Sequence, residues 1–101
     1  MTELSLEEND VHVWYATPDA LRKDAFLSSG DGLLSPDEVD RQHRFSSKAA
    51  GLLHRTGRVL VRTTLSRYED VSPSAWIFRA GPNGRPEIAA PGISAPLRFN
   101  L

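Results

Sequence analysis

Positive and negative charges are segregated along this chain, and this limits what its middle can pack against. Residues 1–40 carry ten acidic residues against two basic ones. Residues 41–68 carry seven basic residues and no acid, whereas residues 69–101 carry three of each. Such asymmetry indicates that the basic segment either faces an anionic ligand or pairs with the acidic segment before it. A basic helix surface that is merely solvated is the third interpretation.

Length and composition restrict the class of protein. The chain has 101 residues, which suits one small domain, and its 40% hydrophobic and 25% charged residues are usual for a soluble protein. It contains no cysteine, which excludes disulfides, thiolate metal sites and cysteine nucleophiles. No apolar run has the length of a membrane span, and residues 1–10 do not resemble a signal peptide. We therefore expect a cytoplasmic protein with no membrane partner.

The N-terminal third is predicted to contain one strand and one short helix. Residues 1–10 form an acidic N-terminal segment. Val11–Tyr15 is β-branched and aromatic with alternation, which predicts a strand. The proline that follows favours a short helix from Asp19 to Phe26 or Leu27, before a loop at residues 28–32.

Two further helices are predicted in the basic segment and just before it. Ser35, Pro36 and Glu38 form a capping-box pattern, which predicts a helix from there to about Phe45. The next helix is indicated by residues at helical spacing that are expected to share one buried face: Leu53, Gly57, Leu60, Val61, Thr64 and Tyr68. Basic residues are expected around the rest of that helix: Arg55, Arg58, Arg62 and Lys48.

The C-terminal third is predicted to be strands. Trp76–Arg79 and Pro86–Ala89 flank a glycine-rich turn at Gly81–Gly84, which is typical of a hairpin. Leu97–Leu101 alternates again and predicts another strand. The order of the elements predicts an α+β fold, with helices packed on a small antiparallel sheet.

Elimination leaves an anion site as the best candidate for function. His12, His43 and His54 are scattered without metal-ligand spacing, so each is more simply a packing or surface histidine. No G-x-S-x-G motif is present, although the sequence leaves a Ser/His/Asp arrangement open. The basic helix has no nucleic-acid-binding signature, so no nucleic-acid partner is expected. Arginine grips phosphate in a bidentate manner. The candidates for a small phosphorylated ligand are Arg41, Arg44 and Arg85, with Gly84 and Pro86 shaping the turn.

Seven short motifs, in order and at matching spacing, resemble a known family. They are Leu34–Glu38, Arg41 with His43–Phe45, Gly57–Arg62, Leu65–Tyr68, Trp76–Phe78, Gly84–Ile88 and Leu97–Leu101. From about Val11 to the end, the chain resembles the N-terminal half of the phosphopantetheinyl transferases of the surfactin-synthetase-activating type.

The resemblance implies a fold, a ligand and a partner. Residues 11–101 would form one half of a pseudo-twofold fold. Such enzymes transfer 4′-phosphopantetheine from coenzyme A to a serine of an acyl or peptidyl carrier protein, with Mg²⁺ at the pyrophosphate. By resemblance, Arg41 would lie near the 3′-phosphate, Gly84–Pro86 would line the adenosine-phosphate pocket, and Asn100 would belong to the F-N-x-S-H motif.

The chain also departs from the family pattern. It reaches Phe99–Leu101 but not the S-H that follows, and it contains neither the metal-binding G-x-D-x-E nor the W-x-x-K-E-A-x-x-K helix. No catalytic residue and no metal ligand is therefore expected in this chain, which we expect to be inactive by itself. The alternatives are a half completed by a complementary chain or by self-association, a non-catalytic module that binds coenzyme A or a carrier protein, and a truncated remnant without function.

A second departure lies at residues 46–57. A reading frame shifted by one base across Lys48–Arg58 permits a family-like sequence, which suggests a short frameshift there. Gly51 also costs a helix about 1 kcal/mol relative to alanine. Both features suggest that the sequence of this segment is under relaxed constraint, as in a fragment.

Overall fold

The computed structural model describes residues 4–17, 19, 32–93 and 97–101. Apart from Asp19 and Gly32, the predicted helix at residues 19–27 and the predicted loop at residues 28–32 lie outside that part of the chain. Within it, two α-helices precede a two-stranded antiparallel sheet, which confirms the α+β class. None of the helices in these ranges is long and apolar enough to cross a membrane.

Helix α1 spans Pro36–Arg44 and begins as its capping box predicts. The Ser35 hydroxyl accepts a hydrogen bond from the Glu38 backbone N–H at 3.2 Å, and Glu38 Oε1 accepts one from the Ser35 backbone N–H at 2.8 Å. Both interactions satisfy N–H groups that a helix start leaves without partners. Glu38 is consequently held at a fixed position in the first turn.

Helix α2 spans Lys48–Leu65 and is capped by the Ser47 hydroxyl, which accepts a hydrogen bond from the Ala50 N–H at 3.1 Å. It packs closely against α1 at Gly51, where an added Cβ would lie 2.7 Å from the carbonyl oxygen of Gln42. Glycine is therefore required at this contact by the close approach of backbone. The suggestion that Gly51 reflects relaxed constraint was wrong.

The buried face of α2 differs from the predicted one. Leu53 is 65% exposed, whereas Arg62, predicted to lie on the solvent side, is only 2% exposed. The buried positions are Gly51, Thr56, Val59, Val61, Arg62 and Leu65. The difference arises because α1 approaches α2 at Gly51, so the covered side is set by the neighbouring elements rather than by the most apolar stripe.

The C-terminal hairpin matches its prediction to within one residue at each strand end. Strand β1 (Ile77–Ala80) pairs antiparallel with strand β2 (Pro86–Ala90), with Arg79 opposite Glu87. In the turn between them, Asn83 and Gly84 adopt φ values of 68° and 77°. These left-handed conformations are the ones that asparagine and glycine tolerate best.

Two predicted strands are not strands. Residues 11–15 and 97–101 form no ladder with any described strand. Their side chains are held instead: the Trp14 indole N–H donates to the Tyr68 hydroxyl at 2.9 Å, and the Phe99 ring lies edge-on to Phe78 at 5.4 Å between centroids. In both segments the alternating side chains make contacts with the rest of the protein, but the backbone does not pair with β1 or β2. The described sheet therefore has two strands.

Helix α2 contributes to two apolar clusters. Val59 packs with Leu33 and Leu34, which precede α1. Val61 and Leu65 pack with Trp76, which is 1% exposed and directly precedes β1. The helix thus connects α1 to the sheet and sets the distance between their charged residues.

Candidate anion-binding site

One acidic and two basic side chains meet between α1 and α2, where Glu38 and Arg62 are buried and Arg58 is half-buried. Arg58 Nε donates to Glu38 Oε2 at 2.7 Å, and Arg62 Nε donates to Glu38 Oε1 at 2.8 Å. The side chains of Glu38, Arg58 and Arg62 are 9%, 15% and 3% exposed. We call these residues the buried ion cluster. Of the interpretations of the basic segment, pairing with the acidic segment therefore holds for Arg58 and Arg62.

The carboxyl of Glu38 remains ionised in this cluster. Burial alone raises the pKa of Glu38, but the Ser35 backbone N–H, the Arg58 hydrogen bond and the charges of Arg62 and Arg58 outweigh it, so the pKa lies below its usual value. The negative charge therefore balances part of the positive charge around it.

Arg62 has a structural role beyond its ion pair. Its Nη1 donates to the carbonyl oxygens of Pro73 at 2.9 Å and Trp76 at 2.8 Å, and its guanidinium lies 5.1 Å from the centre of the Phe78 ring. These contacts satisfy the donors of Arg62 inside the protein. Arg62 therefore holds α2 to the segment before β1 and has no donor directed at a ligand.

An open cavity of about 580 Å³ lies along the outer side of α1. The described residues that line it are Asp37, Asp40, Arg41, Arg44 and Phe45, and we call it the α1 cavity. Arg44 is engaged by Asp40, with 2.8 Å between Nη2 and Oδ2. Arg41 is exposed and has no ion-pair partner among the described residues. Arg41 is therefore the cation of this cavity with the most capacity for an anion.

A second cavity of about 370 Å³ lies between the hairpin and the C-terminal segment. Residues 85–89, 91–93 and 97–99 line it, and we call it the hairpin cavity. Arg85 and Arg98 are exposed and have no ion-pair partner among the described residues, whereas Glu87 lies 3.5 Å from Arg79. The cavity therefore offers two guanidinium groups for an anion.

The walls of the hairpin cavity combine apolar and polar surface. Ile88, Leu97 and Phe99 line it and also pack against the cluster around Trp76. Apolar walls with a few charged groups at the rim are usual for sites that bind small organic molecules. The arrangement suits an amphipathic anion, with phosphate at the arginines and an apolar portion against the walls.

The structure distributes the six predicted site residues over different places. Arg85 and Pro86 line the hairpin cavity, and Arg41 and Arg44 line the α1 cavity. Gly84 lies in the exposed hairpin turn, and Asn100 is exposed next to Phe99, which lines the hairpin cavity. The two cavities share no described lining residue, so Arg41, Arg44 and Arg85 do not line one common cavity.

Sequence reasoning overlooked one cavity residue, Arg98, whereas the structure agrees with the expectation that His54 is a packing or surface histidine. Arg98 lines the hairpin cavity together with Arg85. Its place in the alternating segment 97–101 could have indicated a second arginine near Arg85. His54 packs against the Phe45 ring at 5.3 Å between centroids, and its Nε2 is buried without a hydrogen-bond partner among the described residues. Burial, together with the charges of Arg58 and Arg41, lowers the pKa of His54.

In residues 4–17, 19, 32–93 and 97–101, no three His, Asp or Glu side chains are grouped so that they could hold a metal ion, and we assign no step to Mg²⁺. Comparisons with protein-family models, with curated proteins and with solved structures find no match to this chain.

Proposed function

We propose that this chain binds coenzyme A and contributes the coenzyme-binding part of a phosphopantetheinyl transferase that modifies an acyl or peptidyl carrier protein. The observation that carries the proposal is the hairpin cavity, because it is lined both by Arg85–Pro86 and by residues 97–99. The sequence resemblance assigns Gly84–Pro86 and Asn100, which follows Phe99, to one coenzyme A site.

The chemistry of the hairpin cavity supports this ligand. Coenzyme A combines several phosphates with an adenine ring and a largely uncharged arm. The guanidinium groups of Arg85 and Arg98 are suited to phosphate, and Ile88, Leu97 and Phe99 offer apolar surface to the remainder. Arg41 in the α1 cavity would provide a further contact only to an extended part of the ligand.

The transfer step itself is not assigned to residues of this chain. Transfer requires a base that takes the proton of the carrier serine and groups that stabilise the leaving phosphate. The family motifs that supply them, G-x-D-x-E and W-x-x-K-E-A-x-x-K, do not occur in these 101 residues. We therefore propose that residues 1–101 bind the coenzyme and that turnover needs groups outside these residues.

Calorimetric titration with coenzyme A tests the binding. Arg85→Ala should weaken the binding free energy by about 1–3 kcal/mol, because a charge-assisted hydrogen bond to phosphate is lost. Lys48→Ala is the control: it removes one positive charge from an exposed side chain that lines neither cavity and has no ion-pair partner among the described residues. If both variants bind coenzyme A as the unmodified chain does, Arg85 has no role in binding.

A turnover assay tests whether this chain carries out the transfer by itself. The chain is incubated with coenzyme A, Mg²⁺ and an apo carrier protein, and the carrier is followed by mass spectrometry for the added phosphopantetheine. We expect no modification by this chain alone. If these 101 residues modify the carrier protein without any other polypeptide, the proposal that the transfer needs groups outside them is wrong.

A further inference from the structure

The two ends of α2 differ in their surroundings. At the C-terminal end lies the N-terminal segment: the Leu4 N–H donates to the Arg67 carbonyl oxygen at 3.0 Å, and the Arg67 guanidinium lies 4.6 Å from the centre of the Trp14 ring. At the N-terminal end of α2 lies the corner that follows α1. Each end carries exposed charge and exposed apolar side chains.

The C-terminal end is acidic and apolar. Glu7, Glu8 and Asp10 are exposed there and have no basic partner among the described residues. Directly after them, Val11, Val13 and Tyr15 are exposed by 84%, 85% and 89%. Three large apolar side chains at alternate positions of one short segment form an exposed apolar patch, which is typical of an interaction surface. We call residues 7–15 the acidic patch.

The N-terminal end of α2 is basic and apolar. Arg41 and Lys48 are exposed and lack an ion-pair partner among the described residues, and Phe45 and Leu53 are 42% and 65% exposed. The acids nearby are Asp40, which pairs with Arg44, and Asp37, which lies at the start of α1. We call Arg41, Arg44, Phe45, Lys48 and Leu53 the basic patch.

The two patches cannot neutralise each other within one chain. Helix α2 has 18 residues, and at about 1.5 Å per residue it separates its ends by about 27 Å. This separation exceeds the Debye length of about 8 Å at physiological ionic strength. A second copy of the chain, turned end for end, carries the opposite charge and matching apolar surface at the same separation.

We propose that two copies of this chain associate antiparallel along α2, so that the acidic patch of each meets the basic patch of the other. A twofold axis makes both contacts identical, which is the commonest arrangement of homodimers. Val11, Val13 and Tyr15 of one copy cover Phe45 and Leu53 of the other. The charges on either side set the direction of pairing, as complementary charge does at other interfaces.

Sedimentation velocity over a series of protein concentrations tests the association. At low salt a concentration-dependent dimer is expected. At about 1 M salt, where the Debye length falls to about 3 Å, the dimer should weaken markedly. A monomer at all concentrations at low salt overturns the proposal, as does a dimer that salt does not affect.

A charge exchange tests the pairing of the patches. Glu8→Lys and Lys48→Glu each place like charges opposite one another twice per dimer, so each should weaken dimerisation by about tenfold. The double variant restores opposite charges and should recover the dimer. Lys48 is chosen because it lines neither cavity, so the result is independent of coenzyme A binding.

Controls separate pairing from folding. Arg79→Glu reverses a charge outside both patches and should leave the dimer unchanged, and circular dichroism should show the same helix content in every variant. If both single variants weaken the dimer and the double variant does not recover it, the antiparallel pairing is wrong.

Discussion

Arginines in two regions of this protein have different roles. In the buried ion cluster, Arg62 is 2% exposed and bonds to Glu38, Pro73 and Trp76. At the hairpin cavity, Arg85 and Arg98 are exposed and have no acidic partner among the described residues. A guanidinium whose donors are used inside the protein holds the fold, whereas one with its donors exposed is available to an anion. Residue type alone does not distinguish the two cases.

The largest expected effect is in the buried ion cluster. Glu38→Gln should lower the free energy of unfolding by about 3–5 kcal/mol, because it leaves the buried Arg62 and the half-buried Arg58 without their counter-charge. Glutamine still serves in a capping box, so the variant isolates the charge. Chemical denaturation measures the change.

Asp37→Asn is the matched control for that variant. Asp37 is the neighbouring acid in the first turn of α1 and is exposed. Losing its favourable interaction with the helix dipole should cost about 0.3–1 kcal/mol. Equal losses in both variants would argue that the cluster contributes no more than an ordinary helix-start charge.

Acid should remove part of the same stabilisation. The folded-state pKa of Glu38 is lowered, so the unfolded state takes up a proton more readily. The contribution is therefore complete above about pH 4.3, the ordinary pKa of glutamate, and is lost as pH falls through the folded-state value. Denaturation curves measured from neutral pH downward should show this loss in the unmodified chain.

The Glu38→Gln variant separates this loss from the titration of other carboxyls. It should lack the Glu38 component and show a shallower fall in stability below about pH 4.3. Parallel curves for the two proteins would contradict the lowered pKa.

Two glycines of α2 extend the comparison to backbone packing. Gly51→Ala should destabilise the protein by about 1–3 kcal/mol, because its Cβ would lie 2.7 Å from the Gln42 carbonyl oxygen. Gly57→Ala should stabilise it by about 0.5–1 kcal/mol, because among the described residues outside α2 its Cβ would meet only Leu101, at an ordinary contact distance of 3.9 Å. Thermal unfolding distinguishes the two. A stabilised Gly51→Ala variant would mean that the helices separate without cost.

Substitutions of the arginines at the hairpin cavity are expected to change the stability of the protein least. Arg85→Ala should change the free energy of unfolding by less than about 0.5 kcal/mol, as is usual for exposed side chains without partners. Arg98→Ala should behave alike. A loss comparable with that of Glu38→Gln would show that these arginines support the fold, and it would weaken the case for a ligand.

Some elements were predictable because their causes are local. The capping box and the hairpin turn depend on residues a few positions apart, so α1 and the hairpin appear where the sequence predicts them. The side of α2 that is buried was not predictable. Leu53 belongs to its most apolar stripe and is exposed, because α1 approaches at Gly51 instead.

The candidate site was predictable only in part. Arginines near glycine and proline indicated an anion site, and Arg85 and Pro86 do line a cavity. The sequence did not predict that Arg98 lines the same cavity as Arg85, or that Arg41 lines a different one. Which residues line a cavity depends on how the separate segments of the chain pack together.

The sequence by itself determined the α+β class, the start of α1, the hairpin and its turn, and the excess of positive charge in the middle of the chain. Only the tertiary structure decided which of those charges are neutralised. Glu38 lies 20 and 24 residues before the arginines it binds, and several other basic residues were equally available. Capping and turn geometry depend on neighbouring residues, whereas the pairing of buried charges depends on how the helices pack, and this packing is set by the whole fold.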